Sequence, residues 1–260
     1  MRAAKVLDEL GALLFPPACQ VCRRLAQPLI CEPCAAAFEV IQPPLCLRCG
    51  RPFDPRGHAG ERCGGCRKDG RPLTSARSFG LHVGTLREAV HALKFRGRVR
   101  VAPALAERLA GLVGGPVPTA LPFARPPDGL VPVPLHPTRR AERGFDQAEL
   151  LSRKLAELTG IPLRTGLLAR TRHTQPQVGM SPAQREANVR GAFALRHPLP
   201  PGGVCVLLID DVYTTGATLE ECARVLRRGG VQEVHALTVS RAAPEWHPHA
   251  DLGDPHREPV

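Results

Sequence analysis

Four cysteine pairs near the start of the chain place the strongest limit on how it folds. All four have the spacing C-x-x-C, and they are Cys19 and Cys22, Cys31 and Cys34, Cys46 and Cys49, and Cys63 and Cys66. A gap of two residues lets both thiolates of a pair face one tetrahedral metal ion. The eight cysteines suffice for two zinc sites of four ligands each. The pattern therefore predicts a small N-terminal domain that metal ions stabilise.

The spacing leaves open how the pairs combine. Sequential pairing puts the first two pairs in one site and the last two in the other, and interleaved pairing satisfies the same count. Disulfides, an iron–sulfur cluster and redox-active dithiols are the alternatives to zinc. Zinc is favoured because the sequence indicates a cytoplasmic protein: Met1–Phe15 carries Asp8 and Glu9 where an export signal is apolar. Thiols stay reduced in the cytoplasm, where disulfides are rare.

Beyond the cysteine pairs, the composition is that of a packed globular domain. Of the 260 residues, 43% are hydrophobic and 23% are charged. We predict an N-terminal helix and a double zinc ribbon over residues 1–72, an α/β domain over residues 73–242, and a flexible tail over residues 243–260. The longest apolar run, Val204–Ile209, is far shorter than a membrane span. We therefore expect no membrane insertion.

Helix and strand patterns alternate along residues 73–242. The predicted helices are Thr85–Phe95, Val101–Val113, Asp146–Leu158 and Ala217–Arg228. The predicted strands are Leu130–Pro134, Arg164–Arg170, Gly191–Leu195, Val204–Ile209 and Val234–Ser240. Since Val204–Ile209 is apolar throughout, it is typical of a strand that is buried on both faces of a parallel sheet. Cys205 on this strand and Cys222 on the next helix are expected to be ordinary buried thiols.

The segment that follows this strand has the residues of a phosphate site. Residues 206–218 read VLLIDDVYTTGAT, so that two adjacent carboxylates, Asp210 and Asp211, are followed by small and hydroxylated residues and then by a helix. Backbone N–H groups at a helix N-terminus bind phosphate, and the helix dipole favours its negative charge. The carboxylates can accept hydrogen bonds from ribose hydroxyls or hold a hydrated magnesium ion. An Asp-rich turn with a threonine cap is the structural alternative.

This segment resembles the phosphoribosyl pyrophosphate (PRPP) motif of type I phosphoribosyltransferases. Three other segments narrow the resemblance: KFRGR at residues 94–98, VPVPLHPTRRAERGFDQ at 131–147 and RTRHTQPQVGMSPAQREANVRGAF at 170–193. With the cysteine pairs, they are similar to the competence protein ComF family over about residues 10–241. The resemblance implies an α/β, parallel-sheet type I phosphoribosyltransferase-like fold with a small N-terminal zinc-ribbon domain. It also implies two structural zinc ions, and magnesium bound with PRPP.

The resemblance also assigns roles to individual residues. Asp210 and Asp211 are the expected catalytic pair, in contact with the ribose. The residues expected to bind the phosphates of PRPP are Thr214, Thr215, Gly216, Ala217 and Thr218, together with Pro134, Leu135, His136, Arg139 and Arg143. The expected lid is Gln175, Gln177, Arg185 and Asn188. A solvated turn or nucleic-acid contact is the alternative for the arginines. Asp146 departs from the family, which usually has Asn there, and the change removes an amide donor.

The charge of the chain indicates a polyanionic partner. Lysine and arginine exceed the acidic residues by 35 − 24 = 11. The excess is dense after the cysteine pairs, and we assign single-stranded DNA contact to Arg87, Lys94, Arg96, Arg98 and Arg100. Because only 4% of the residues are aromatic, we expect contacts to the phosphate backbone and little base stacking.

Two functions fit these patterns. The resemblance implies a cytoplasmic ComF-like protein that binds PRPP and acts in DNA uptake during natural transformation. It would handle incoming single-stranded DNA together with a helicase-like competence partner. The alternative is an active phosphoribosyltransferase of nucleotide metabolism, which transfers phosphoribose from PRPP to an acceptor and releases pyrophosphate. No residue pattern identifies the acceptor.

Overall fold

The computed structural model of the chain describes residues 18–25, 29–57, 60–67, 70–175, 179–197 and 204–249. The predicted N-terminal helix, the lid residue Gln177 and residues 250–260 of the predicted tail lie outside these ranges. Residues 243–249 contain no helix or strand, and His247 Nε2 lies 2.8 Å from a carboxylate oxygen of Glu39. Within the described ranges, no helix has the length and apolar character needed to cross a membrane.

The elements are numbered in chain order. The strands are β1 (Ser75–Leu81), β2 (Gly129–Pro132), β3 (Leu168–Arg170), β4 (Phe193–Leu195), β5 (Cys205–Tyr213) and β6 (Glu233–Arg241). The α-helices are α1 (Glu32–Ala36), α2 (Gly84–Phe95), α3 (Ala102–Ala110), α4 (Pro137–Arg143), α5 (Gln147–Thr159), α6 (Pro182–Val189) and α7 (Ala217–Arg228). Short 3₁₀ helices form at Gly64–Cys66 and Val99–Val101.

A parallel sheet with the strand order β1–β6–β5–β2 forms the centre of the domain. Strand β5 is longer than the predicted Val204–Ile209 because the chain continues to pair with β6 beyond the apolar run: Asp210 lies opposite Thr238, and Val212 lies opposite Ser240. Asp210 and Asp211 therefore lie within the last residues of β5, at the carboxyl edge of the sheet. This is the edge at which open α/β sheets bind ligands.

Alternate residues of β5 pack on opposite faces of the sheet. Leu207 and Ile209 join a core that contains α2, α3, α5 and the first cysteine region. Val206 and Leu208 join a second core that contains α7, β3, β4 and the second cysteine region. Cys205 and Cys222 are fully buried, as predicted. The α/β prediction is confirmed, and each cysteine region is attached to one face of the sheet domain.

Strand β1 was not predicted, because its buried positions are polar. Ser75, Arg77 and Ser78 are each less than 5% exposed. The Ser75 hydroxyl lies 2.8 Å from His235 Nδ1, and the Ser78 hydroxyl lies 2.7 Å from the hydroxyl of Thr238 on β6. These cross-strand partners satisfy the buried polar groups, so the strand lacks the apolar pattern by which strands are recognised.

Two short helices, α4 and α6, occupy segments in which we predicted no helix. Helix α6 begins at a capping box in which Ser181 and Gln184 bond to each other's backbone N–H groups. Helix α4 begins at Pro137 and ends at Gly144, which has a φ of 81°. The predicted strands Arg164–Arg170 and Gly191–Leu195 are shorter than expected, since only β3 and β4 pair, in antiparallel orientation.

Candidate functional site

The paired cysteines gather into two clusters of four in the part of the chain that the structure describes. Within each cluster the sulfur atoms lie within 4.8 Å of one another. The first cluster is Cys19, Cys22, Cys31 and Cys34, and the second is Cys46, Cys49, Cys63 and Cys66. The structure therefore forms the sequential pairing and not the interleaved one.

The geometry of both clusters fits zinc. The sulfurs of Cys22 and Cys31 are 3.7 Å apart, as are those of Cys49 and Cys63. A tetrahedral ion with Zn–S bonds of about 2.3 Å holds its sulfurs about 3.8 Å apart. Backbone N–H groups of Val21 and Cys31 donate to Cys19 Sγ, both at 3.4 Å, which stabilises a thiolate there. Four sulfur ligands leave no position for substrate, so both clusters are consistent with structural zinc sites, in which the ion would supply folding energy.

A cavity of about 1040 Å³ opens at the carboxyl edge of the sheet. Its lining brings together residues that are widely separated in sequence. The predicted PRPP and lid residues that line it are Pro134, Leu135, Arg139, Arg143, Gln175, Arg185, Asp210, Asp211, Thr214, Gly216, Ala217 and Thr218. Three chain segments of the predicted site thus share one cavity.

The acidic pair carries one strong ion pair. Lys94 Nζ, near the end of α2, lies 3.1 Å from Asp211 Oδ2, and the Asp211 side chain is 4% exposed. Although burial opposes it, the charge of Lys94 holds the pKa of Asp211 below its ordinary value. Burial and the neighbouring charge of Asp211 raise the pKa of Asp210 to about 8. Before ligand binds at neutral pH, Asp211 is therefore the ionised member of the pair.

The turn after β5 has the form of a phosphate cradle. Gly216 has a φ of 84°, and an added Cβ there would overlap the Tyr213 ring. The turn leads into α7, whose first residue is Ala217, and the N–H of Ala217 donates to Thr215 Oγ1 at 3.4 Å. The N-terminal N–H groups of this helix of 12 residues face the cavity edge where Gly216, Ala217 and Thr218 lie.

Arginines line the same cavity as the acidic pair. Arg139 and Arg143 come from α4, Arg170 ends β3, and Arg185 lies on α6. Burial lowers the pKa of Arg143, and burial together with Arg139 lowers the pKa of Arg170. Among the described residues, Arg170 Nε has no hydrogen-bond partner although it is buried. Clustered guanidinium groups with depressed pKa values favour a bound anion, because an anion offsets their desolvation and mutual repulsion.

Asp146 joins the proline loop to helix α5. Its Oδ1 accepts from the N–H groups of Ala148 and Glu149, at 3.0 and 3.2 Å, and so caps the helix. Its Oδ2 accepts from the N–H of Leu135 at 2.9 Å. All three partners are donors, so the two carboxylate oxygens of Asp146 satisfy them and no amide donor is needed at this position.

The remaining predicted residues surround the cavity without lining it. His136 accepts from the N–H of Thr138 at 3.4 Å and so caps α4. Asn188 Nδ2 donates to the carbonyl of the lid residue Gln175 at 3.0 Å. Thr215 Oγ1 accepts from the N–H of Ala217 before the first turn of α7. These side chains position the loops that face the cavity.

The five bases assigned to DNA do not act alike. Lys94 lines the cavity and pairs with Asp211. Arg87, Arg96, Arg98 and Arg100 lie outside the lining. Arg96 pairs with Glu88 at 2.9 Å, and Arg98 donates to the carbonyl of Gln20 at 2.6 Å, which ties the loop after α2 to the first ribbon.

Comparison with known proteins follows the same division of the chain. Residues 10–72 match the family described as double zinc ribbon domain, and residues 141–251 match the phosphoribosyl transferase domain. The DNA utilization protein YhgH of Salmonella typhi is 35% identical over 233 residues, which cover 88% of this chain and 99% of that protein. Competence protein F of Haemophilus influenzae is 30% identical over 230 residues, covering 86% and 96%. The chain belongs to the ComF family. Competence protein ComFC of Bacillus subtilis, at 28% identity, covers 82% of this chain and 84% of its own length.

Several residues of this ComF-family cavity were not singled out from the sequence. They are His82, His91, Phe95, Phe145, Arg170 and His173. His82 follows β1, the strand that we did not predict because its buried positions are polar. His91 and Phe95 lie on α2 at positions i and i+4, on the same helix face, and Phe95 stands next to Lys94 in the KFRGR segment. The helical period of that segment was the available signal.

Proposed function

We propose that the chain binds PRPP with magnesium in the cavity at the carboxyl edge of the sheet, and that it acts in cytoplasmic handling of single-stranded DNA during DNA uptake. The observation that carries the first part is one juxtaposition. The acidic pair, the turn residues Thr214, Gly216, Ala217 and Thr218, and the arginines Arg139 and Arg143 all line the same cavity. The ribose, the 5′-phosphate and the pyrophosphate of PRPP have complementary groups in this set.

Each part of PRPP has a partner in this arrangement. The 5′-phosphate would accept from the N–H groups at the start of α7. Asp210 and Asp211 would accept hydrogen bonds from the ribose hydroxyls and from water molecules bound to magnesium. The pyrophosphate would lie at Leu135 and Arg139, where planar guanidinium groups give bidentate contacts. Magnesium, when bound, neutralises charge on the pyrophosphate.

The PRPP assignment is tested by calorimetric titration of magnesium-PRPP into the zinc-loaded protein. Exchange of both acids, Asp210→Asn with Asp211→Asn, should weaken binding at least about tenfold, since it removes the charge of Asp211 and replaces one oxygen of each side chain with an amide NH₂. Glu157→Gln is the matched control, because Glu157 lies on α5, outside the cavity, and pairs with Lys154 at 3.0 Å. An unchanged affinity in the double variant contradicts the site.

The DNA part of the proposal rests on the relatives and on charge. The relatives in Salmonella and Haemophilus are named for DNA utilization and competence. The segment directly after α2 contains Arg96, Arg98 and Arg100. Burial, together with the charges of Arg23 and Arg96, lowers the pKa of Arg98. This concentration of positive charge supports binding to a phosphate backbone, and a helicase-like competence partner stays part of the proposal. The affinity for single-stranded DNA should fall steeply as the salt concentration rises. An affinity that does not change with salt contradicts contact with the phosphate backbone.

Phosphoribosyl transfer is the second candidate function. The cavity extends past the acidic pair to His82, His91 and Phe95, and its volume of about 1040 Å³ is at the upper end of the range of about 300–1000 Å³ for small-molecule sites. Transfer would break the bond from C1 of ribose to pyrophosphate, form a bond from C1 to the acceptor nitrogen, and release the acceptor's proton. Release of pyrophosphate from PRPP with a panel of bases and amines tests it. Release that occurs in the parent chain and not in the double Asn variant supports transfer.

A further inference from the structure

An exposed aromatic ring stands at the rim of the cavity. Among the described residues, Phe95 is the most exposed aromatic side chain, at 56%. It ends α2 and lines the cavity. Two cations lie near its ring: Lys94 Nζ is 5.9 Å and Arg143 Cζ is 5.6 Å from the ring centroid. An apolar face exposed among cations suits a ligand that combines a planar ring with negative charge.

His91 completes the surface next to Phe95. The His91 ring meets the Phe95 ring edge to face, with centroids 5.3 Å apart, and both line the cavity. Within the described part of the chain, His91 Nε2 is buried and has no hydrogen-bond partner. Burial and the charge of Arg87 lower the pKa of His91 to about 4, so the imidazole is neutral at neutral pH. His91 therefore adds a second, uncharged ring to the cavity lining beside Phe95.

Positive charge continues outward from this ring. Arg96 follows Phe95 directly, and Arg98 and Arg100 come next. Arg96 and Arg100 are exposed, and the guanidinium of Arg98 bonds to Gln20 of the first ribbon. A stacking ring that is followed by a basic track is the arrangement by which proteins bind single strands.

We propose that Phe95 and His91 form a docking platform for one unstacked base of single-stranded DNA, at the mouth of the cavity that takes PRPP. The strand's phosphates then lie along Arg96, Arg98 and Arg100. The cavity location rests on the proposed PRPP site, whereas the base contact does not. A single strand is required because a base within a duplex is stacked on both faces and reaches a side chain only after extrusion. DNA contact would therefore include base stacking, whereas the sequence indicated contacts to the phosphate backbone and little base stacking.

The direct test compares two labelled strands of about ten nucleotides, a site size within the usual range. One is oligothymidine, and the other has the same sugars and phosphates without bases. The parent chain should prefer the strand with bases, and Phe95→Ala should lower oligothymidine affinity about five-fold to about one-hundred-fold while the baseless strand changes little. Leu158→Ala is the matched control, since Leu158 is an exposed apolar residue at 43% that lies outside the cavity lining. Equal affinity of the parent chain for both strands overturns the proposal.

Fluorescence reports the contact at the residue itself. The chain has one tryptophan, so a Phe95→Trp variant adds one emission signal over the parent background. Oligothymidine should quench that signal, and the baseless strand should not. If free thymine quenches the signal at the same concentration as oligothymidine, the platform binds free bases. That result overturns the proposal that it binds a base of single-stranded DNA. PRPP binding is measured separately by calorimetry, so failure of the PRPP site leaves the base contact independently testable.

Discussion

Arg241 stacks its guanidinium group on the ring of Tyr213, at 4.9 Å from the ring centroid. The same arginine donates from Nη1 to the carbonyl of Cys49 at 2.7 Å. Tyr213 in turn occupies the space beside Gly216 in the proposed phosphate turn. A residue of the second cysteine cluster, the end of a strand and the turn are thereby joined through two buried side chains, Arg241 and Tyr213.

Loss of Arg241 should weaken both the fold and the site. Arg241→Met removes a charged donor to a buried carbonyl, and we expect destabilisation of about 2 kcal/mol with weaker PRPP binding. Thermal unfolding and calorimetry measure the two effects. Arg228→Met is the control, because Arg228 is exposed at the end of α7. If PRPP affinity is unchanged in a destabilised Arg241 variant, the turn does not depend on this contact.

Gly216→Ala tests the turn directly. The substitution places a Cβ against Tyr213 and forces an L residue to a φ of 84°. The left-handed backbone alone costs about 1–2 kcal/mol, and the overlap adds to it, so PRPP binding should be largely lost. Gly166→Ala separates the two causes: Gly166 has a φ of 77° with nothing near an added Cβ. Equal effects of both substitutions on PRPP binding would falsify the cradle.

Lys94→Met should leave Asp211 buried without its partner. We expect a loss of about 1–3 kcal/mol in the free energy of unfolding and weaker PRPP binding, since an uncompensated carboxylate repels a polyanion. Lys154→Met breaks a surface pair with Glu157 and should cost less than about 0.5 kcal/mol. Chemical denaturation of the two variants makes the comparison, and equal losses would show that the Lys94 pair is no more than a surface contact.

His82 should make the fold sensitive to acid. Burial and the neighbouring His91 lower the pKa of His82 from 6.5 to about 3, and Nδ1 lies 2.8 Å from the Ser240 hydroxyl. The unfolded chain takes up this proton below its ordinary pKa and the folded chain does not, so stability is present above that value and is lost as pH falls. Between about pH 6.5 and about pH 5 the loss is about 2 kcal/mol. His82→Asn should flatten the profile of Tm against pH, whereas zinc release at low pH affects the parent and the variant alike. An unchanged slope in the variant contradicts the claim that buried His82 makes the stability depend on pH.

The sequence was most informative where chemistry needs fixed spacing. The cysteine pairs, the run from Val204 to Thr218 and helix α7 were predicted because metal ligands, a buried strand and a helix start each leave a local pattern. Strand β1 was missed because its buried polar side chains bond to residues that are distant in sequence. The hydroxyls of Ser75 and Ser78 pair with residues of β6, and Arg77 Nη1 donates to the carbonyl of Leu47. The pairing of Lys94 with Asp211 was missed for the same reason, since 117 residues separate the two.

A crystal structure of the zinc-loaded chain with magnesium-PRPP tests the central claim most directly. The account predicts the 5′-phosphate at the N-terminus of α7, between Thr214 and Thr218, the ribose at Asp210 and Asp211, and the pyrophosphate beside Leu135 and Arg139. Density for PRPP at any other surface, or an empty cavity in crystals grown at saturating ligand, would contradict it.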